Sequence, residues 1–200
     1  MKKLACLLLA LLLCLTFVAA LAESTPSKTT ADLTRVEVTA ENLPADSGFF
    51  IRIVNEDETE YQKRLDICKA EVSKLAAAGS AEAYFGKDVD LKALVAADQL
   101  NVFEFKPVIA GGYNAAYSKV TATMLFSTPC EAGQKVAVLI GLVTENTDGS
   151  TIVDWKAIEG IGVAAEQVEA AGSIQVDLNA ETVLAIQNGI ALLAIVSDWG

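Results

Sequence analysis

Ile190-Ala191-Leu192-Leu193-Ala194-Ile195-Val196-Ser197 is the stretch on which the reading of this chain turns. Every residue from Ile190 to Val196 is apolar, so the segment has no polar face to offer to water. A half-exposed strand alternates, whereas a strand covered on both faces carries an unbroken apolar run. The stretch therefore predicts a strand in the middle of a sheet.

Working back from it, Asn188-Gly189 predicts a left-handed helix end. Asn179 predicts the cap of a short helix reaching Ile186. Before that the texture is of strands: Val102 to Val108, Lys119 to Ser127, Lys135 to Thr144, Thr151 to Ile158 and Ser173 to Leu178. Asn146-Thr147-Asp148-Gly149 has the composition of a hairpin turn. Ala110 to Tyr113 and Pro129 to Gly133 are turn-rich as well.

The first half reads differently. Tyr61, Leu65, Cys68, Val72 and Leu75 recur at helical spacing, with Lys63, Arg64, Asp66, Lys69 and Glu71 on the polar side. Asn55, or Thr59 with Gln62, can cap this helix, and Gly79 stops it. Asp88 caps a second helix to about Ala97. Leu33 to Ala40 and Phe49 to Val54, joined by the turn-like Asn42 to Gly48, predict an antiparallel hairpin.

The order of hairpin, helices and then strands argues for an α+β protein. The expected architecture is an immunoglobulin-like (Ig-like) antiparallel β-sandwich with a helical insert after an N-terminal hairpin. The expected organisation is a signal peptide over 1–22, a flexible tether over 23–32 and a single domain over 33–200. Within that domain, 33–99 holds the hairpin and helices and 100–200 the sandwich portion.

The signal peptide rests on Met1-Lys2-Lys3, the apolar run Leu4 to Leu21, and the small residues Ala20 and Ala22 before Glu23. Cleavage after Ala22 predicts a secreted, extracellular protein with no membrane insertion after the signal is removed. Cys14 raises a lipoprotein reading, but Leu13 stands where a small residue is wanted. The tether is inferred from the Ser, Thr and Pro of Glu23 to Asp32.

The net charge of the chain is −11, and it contains no histidine. Removal of Lys2 and Lys3 leaves thirteen basic residues against twenty-six acids, or −13. Such a chain repels nucleic acid, whose binding rests on clustered Lys and Arg. Without imidazole, Ser-His-Asp and Cys-His nucleophile systems are excluded, as are histidine metal sites. No Ser has a Lys three residues later, so the usual serine-lysine signature is missing too.

Leu43-Pro44, the Val102 to Val108 strand, Val120 to Phe126 ending at Pro129, Gly133 to Val138 and Ala191 to Val196 together resemble uncharacterised β-sandwich modules. Those modules occur in secreted and surface proteins of Gram-positive bacteria. The resemblance implies a scaffold or adhesion role, and it brings no catalytic residues.

Several residues invite a functional reading beside a plainer one. Cys68 and Cys130 could form a disulfide, which export permits; Cys68 also sits on a helix stripe, where a buried thiol is ordinary. Tyr113, Tyr117, Trp155 and Trp199 could stack on sugars. Trp155 lies in an alternating strand and reads equally as core, whereas Tyr113 and Tyr117 flank a Gly-rich loop.

The acids Glu56 to Glu60, and a second patch of Glu145, Asp148 and Asp154, could attract calcium but read as solvated charge. Gly160-Ile161-Gly162-Val163-Ala164-Ala165 matches a dinucleotide fingerprint without its βαβ context and reads as a loop between strands. No catalytic residue, cofactor or metal site is assigned.

The expected function is a non-catalytic extracellular module that engages a protein or a cell-envelope polymer, with cell-surface association. The alternatives are a carbohydrate-binding module and a secreted hydrolase built on paired carboxylates. N-terminal sequencing of the exported protein is expected to begin at Glu23-Ser24; an N-terminus still at Met1 overturns the signal-peptide reading.

Overall fold

The computed structural model describes residues 33–198, apart from 87, 96–99, 128 and 164–170. The signal segment, the tether, Cys14, Ala164, Ala165 and Trp199 lie outside the described residues. The strands are β1 (Leu33–Glu41), β2 (Phe50–Ile53), β3 (Asn101–Gly111), β4 (Ser118–Phe126), β5 (Lys135–Glu145), β6 (Thr151–Val163), β7 (Gly172–Leu178) and β8 (Ile190–Ser197). Helices α1 (Gln62–Ala78), α2 (Ala81–Phe85) and α3 (Leu91–Leu94) fall between β2 and β3, and α4 (Ala180–Asn188) between β7 and β8.

All eight strands belong to one sheet, in the order β1-β4-β7-β6-β5-β8-β3-β2, and every ladder is antiparallel. β1 and β2, at the two ends of that order, lie beside each other. The sheet therefore curls into a nearly closed barrel, and eight strands leave an interior just wide enough for side chains to fill.

This overturns the two-sheet sandwich with a helical insert. It also overturns the N-terminal hairpin, because β1 pairs with β4 and β2 with β3. The long apolar runs misled for a physical reason. Val136, Val138 and Ile140 of β5, with Ala191, Leu193 and Ile195 of β8, face the barrel interior. Ala137 and Leu139, with Leu192, Ala194 and Val196, face outward beneath residues of α1 to α3. A strand covered by a barrel core on one side and helices on the other has the same sequence as one covered by two sheets. β8 does lie inside the sheet, between β5 and β3, with both faces buried.

At the seam of the barrel a buried carboxylate links two strands. β2 pairs with β3 over Val108–Gly111, and the start of β1 approaches the earlier part of β3. There Glu104, 7% exposed, accepts hydrogen bonds from the N–H groups of Leu33 (3.0 Å) and Phe105 (3.1 Å). Lys106 Nζ lies 3.8 Å from the same carboxylate. A bulge between Val102 and Glu104 changes the phase of β3, so that Phe103 points into the barrel while Phe105 packs under the helices.

Helix α4 closes one end. The Asn179 side chain accepts from Thr182 N at 2.8 Å, and Val183 and Ile186 drop into the barrel core. The helix carries the chain from the end of β7 past β6 and β5 to β8. Its C-terminal Gly189 is extended (φ −124°, ψ −167°) rather than left-handed. The left-handed cap occurs at Gly79 (φ 79°), which ends α1 where the sequence placed the stop.

α1 departs from its expected stripe. Leu65, Ile67, Cys68 and Glu71 are buried, while Val72 is 41% exposed. No side chain caps it, and a 3-10 turn over Thr59–Tyr61 precedes it. The second predicted helix appears as the shorter α3, capped by Asp90 rather than Asp88, and its expected end at Ala97 lies outside the described residues; α2, capped by Ser80, precedes it and was not anticipated.

Leu192 and Leu193 face opposite sides of β8 and are both buried. Leu192→Ala and Leu193→Ala are each expected to cost about 2–5 kcal/mol in urea unfolding. A negligible cost at either position contradicts a doubly covered β8.

Candidate functional site

The loops at the α4 end gather Tyr113 and Tyr117, two of the aromatic residues that the sequence pointed to. Gly112 has φ 72°, and a Cβ there would lie 2.6 Å from Gly48 O, so glycine is what lets the loop after β3 rest on the loop after β1. This contact brings Phe49 to Tyr113 and Tyr117, with ring centroids 5.3 and 6.0 Å away.

Tyr113 is buried in the barrel core. Its N–H donates to Gln187 Oε1 of α4 (2.8 Å), and its hydroxyl donates to Tyr117 O (3.2 Å). Tyr117 is turned by a bend in which Asn114 Oδ1 accepts from Ala116 N (2.9 Å). Tyr113 and Tyr117 are thus neighbours, their centroids 6.0 Å apart, but Tyr113 acts as a stopper while Tyr117 keeps part of its surface in water.

Trp155 lies elsewhere, on the outer face of β6. Its indole meets Phe85 edge-on at 5.0 Å, Phe105 at 5.5 Å and Tyr84 at 6.2 Å, and it is 5% exposed. Opposite it on β5, Gly141 has no side chain. A Cβ there would come within 2.7 Å of the indole, so the glycine makes the bed in which Trp155 lies.

Beside this aromatic group sits a buried carboxylate that the helical periodicity placed on the polar face. Glu71, 3% exposed, accepts from the Tyr84 hydroxyl in a short hydrogen bond and from Lys74 Nζ at 2.6 Å. Burial, and then the bond to Glu71, push the Tyr84 phenol upward. The omission of Ile67 from the apolar stripe was the signal in the sequence. Placing Ile67 and Cys68 inward rotates the buried face towards Glu71 and away from Val72.

Cys68 and Cys130 are free thiols that pack in different apolar clusters. Cys68 lies 3.7 Å from Phe105 O, and no bond joins the two cysteines. Burial, reinforced by the charges of Glu104, Glu56 and Glu71, pushes Cys68 up to about 12. Burial alone pushes Cys130 to about 12.

The acids are scattered among separate partners. Glu58 pairs with Arg52 (2.8 Å) and accepts from Asn55 N (2.8 Å). Glu145 pairs with Lys63 (2.5 Å). Asp148 accepts from the N–H and hydroxyl of Ser150, which holds its carboxyl below the usual range. Among the described residues, no three acids or cysteines converge on a point where a metal could sit. Gly160 to Gly162 is strand, not loop, and a Cβ at Gly160 would press on Val136 and Val138.

The barrel interior is a packed core. A cavity of about 20 Å³ remains among residues such as Val36, Met124, Ile140, Ile186 and Leu193, enough volume for roughly one water and walled by apolar side chains. A ligand of ordinary size has to be met on the outside, at the loops or the strand edges.

An unfolded thiol ionises from about pH 8.5, whereas the folded ones stay protonated. Over that window the folded chain holds more protons, so the thiols' contribution to stability is present below pH 8.5 and fades as the pH climbs towards 12. Alkylation of Cys68 at pH 9 is accordingly expected to be slow in the folded protein and rapid once urea unfolds it; equal rates contradict this environment.

No family model matches the chain, and neither a curated protein nor a solved structure was found to match it.

Proposed function

We propose that this chain is an exported, non-catalytic module that engages a protein or a cell-envelope polymer through its outer surface. The observation that carries the reading is the filled barrel. Tyr113 and α4 stop one end, and the interior leaves room for about one water, so recognition belongs to the exterior.

The surface is acidic. Several of its ion pairs are exposed, among them Arg35–Glu37, Lys119–Glu41 and Lys135–Glu159, and each takes up one base with one acid, leaving the excess of acids unchanged. With a net charge of −11 for the whole chain and −13 once Lys2 and Lys3 are removed, the module favours a basic or neutral partner over an anionic polymer. Tyr117, packed against Phe49 and partly open to water, supplies apolar surface at the loop end where contact can be made.

The test is a pull-down with the tagged chain from the producing cells' own envelope and secreted fractions, with proteins and glycans both identified. A partner retained in low salt and released by moderate salt is the expected result, because screening weakens charge attraction beyond about 10 Å. Capture of nothing above an empty-resin control sinks the proposal.

A further inference from the structure

β6 has one complete neighbour and one partial one. It pairs with β5 from Thr151 to Ile161, but with β7 only over Gly160–Val163. The stretch Thr151–Glu159 therefore has a free edge among the described residues.

The phase of that edge is set by the bonds at either end of the β5–β6 pairing. Asn146 N donates to Ser150 O at 2.8 Å, and Gly162 N donates to Gln134 O at 2.8 Å. Even-numbered residues of β6 thus bond to β5. The N–H and C=O groups of Thr151, Val153, Trp155, Ala157 and Glu159 point the other way. An exposed edge of this length is a template for another strand. Its even side chains include Ile152, 58% exposed, and the exposed Asp154 and Lys156.

We infer that a second copy of this chain pairs with this edge, β6 against β6 antiparallel, about a two-fold axis at Trp155. An isologous contact of this kind is self-complementary. In this register Val153 bonds to Ala157 of the second copy, and Trp155 to its own counterpart. The even residues then fall opposite each other in the closely spaced positions. Asp154 meets Lys156 of the second copy, Lys156 meets its Asp154, and Ile152 meets its Ile158.

No neighbouring register does this. Moving the axis to Val153 sets Asp154 against isoleucine, and moving it to Ala157 sets Lys156 against isoleucine. An axis at Asp154 or Lys156 sets that residue against its own copy and so opposes like charges. Lys156 now pairs with Glu181 across 3.0 Å of exposed surface, a contact that exchanges readily for a closer one. Joining the edges also covers Ile152.

Sedimentation equilibrium on the purified protein, from micromolar to millimolar concentration, reads the mass directly. A monomer–dimer equilibrium is expected. Asp154→Lys and Lys156→Asp each set like charges opposite one another twice, and each is expected to weaken the dimer by roughly tenfold or more. An equimolar mixture of the two variants restores opposite charges at both places and is expected to form a heterodimer, which also shows that both variants are folded. Val153→Pro removes an outward-facing donor without touching the β5 ladder and is expected to abolish the dimer. A wild-type chain that stays monomeric, a dimer indifferent to these substitutions, or a mixture that fails to associate overturns the inference.

Discussion

The structure depends on burying β8 from two sides at once. One row of its side chains completes the inner core of the barrel, and the other carries the helices between β2 and β3. Without that strand, β3 and β5 have no common neighbour and the sheet divides in two. Removing apolar surface from water on both faces is worth roughly 25 cal/mol per Å². A strand that does this along its whole length binds together what lies on either side of it. The other features read as adjustments to that arrangement: the bulge at Glu104, the bare Gly141 beneath Trp155, and α4 laid over one end.

Glu71 and Glu104, the charged residues buried among those described, are treated differently. Glu104 accepts main-chain N–H groups at the seam, one from the start of β1 and one from its own strand. Glu71 is fastened to Tyr84 and to Lys74, which reaches it from the surface. A buried carboxylate without such partners costs several kcal/mol. Each of these is therefore tied to the position of a neighbouring element: the start of β1 for Glu104, and the small helix α2 for Glu71.

Local order was legible in the sequence; global pairing was not. Alternation and unbroken apolar runs located β3, β4, β5, β7 and β8 to within a few residues, whereas β6 runs on through Gly160–Gly162, which read as a loop; Asn179 and Gly79 marked helix ends correctly. What failed was whatever depends on distant residues. Nothing in Leu33 to Val54 says that its two strands turn away from each other to pair with β4 and β3. An inward row of valines looks the same whether it faces a second sheet or the far wall of a barrel. The candidate ligand residues divide along the same line. That Tyr113 and Tyr117 share a loop could be read directly, whereas the cover over Trp155 comes from Tyr84 and Phe85, on a helix too short to show a period.

The central strand is also the last of the eight along the chain. During synthesis, β3 and β5 emerge long before the strand that joins them, with apolar faces uncovered and main-chain groups unpaired. The pairing of β3 with β8 spans about half the chain, a non-local contact of the kind that slows folding. The barrel cannot close progressively as the polypeptide appears. It waits on its C-terminal strand, so partial chains remain pliable and vulnerable to proteases, and final assembly is a single late event.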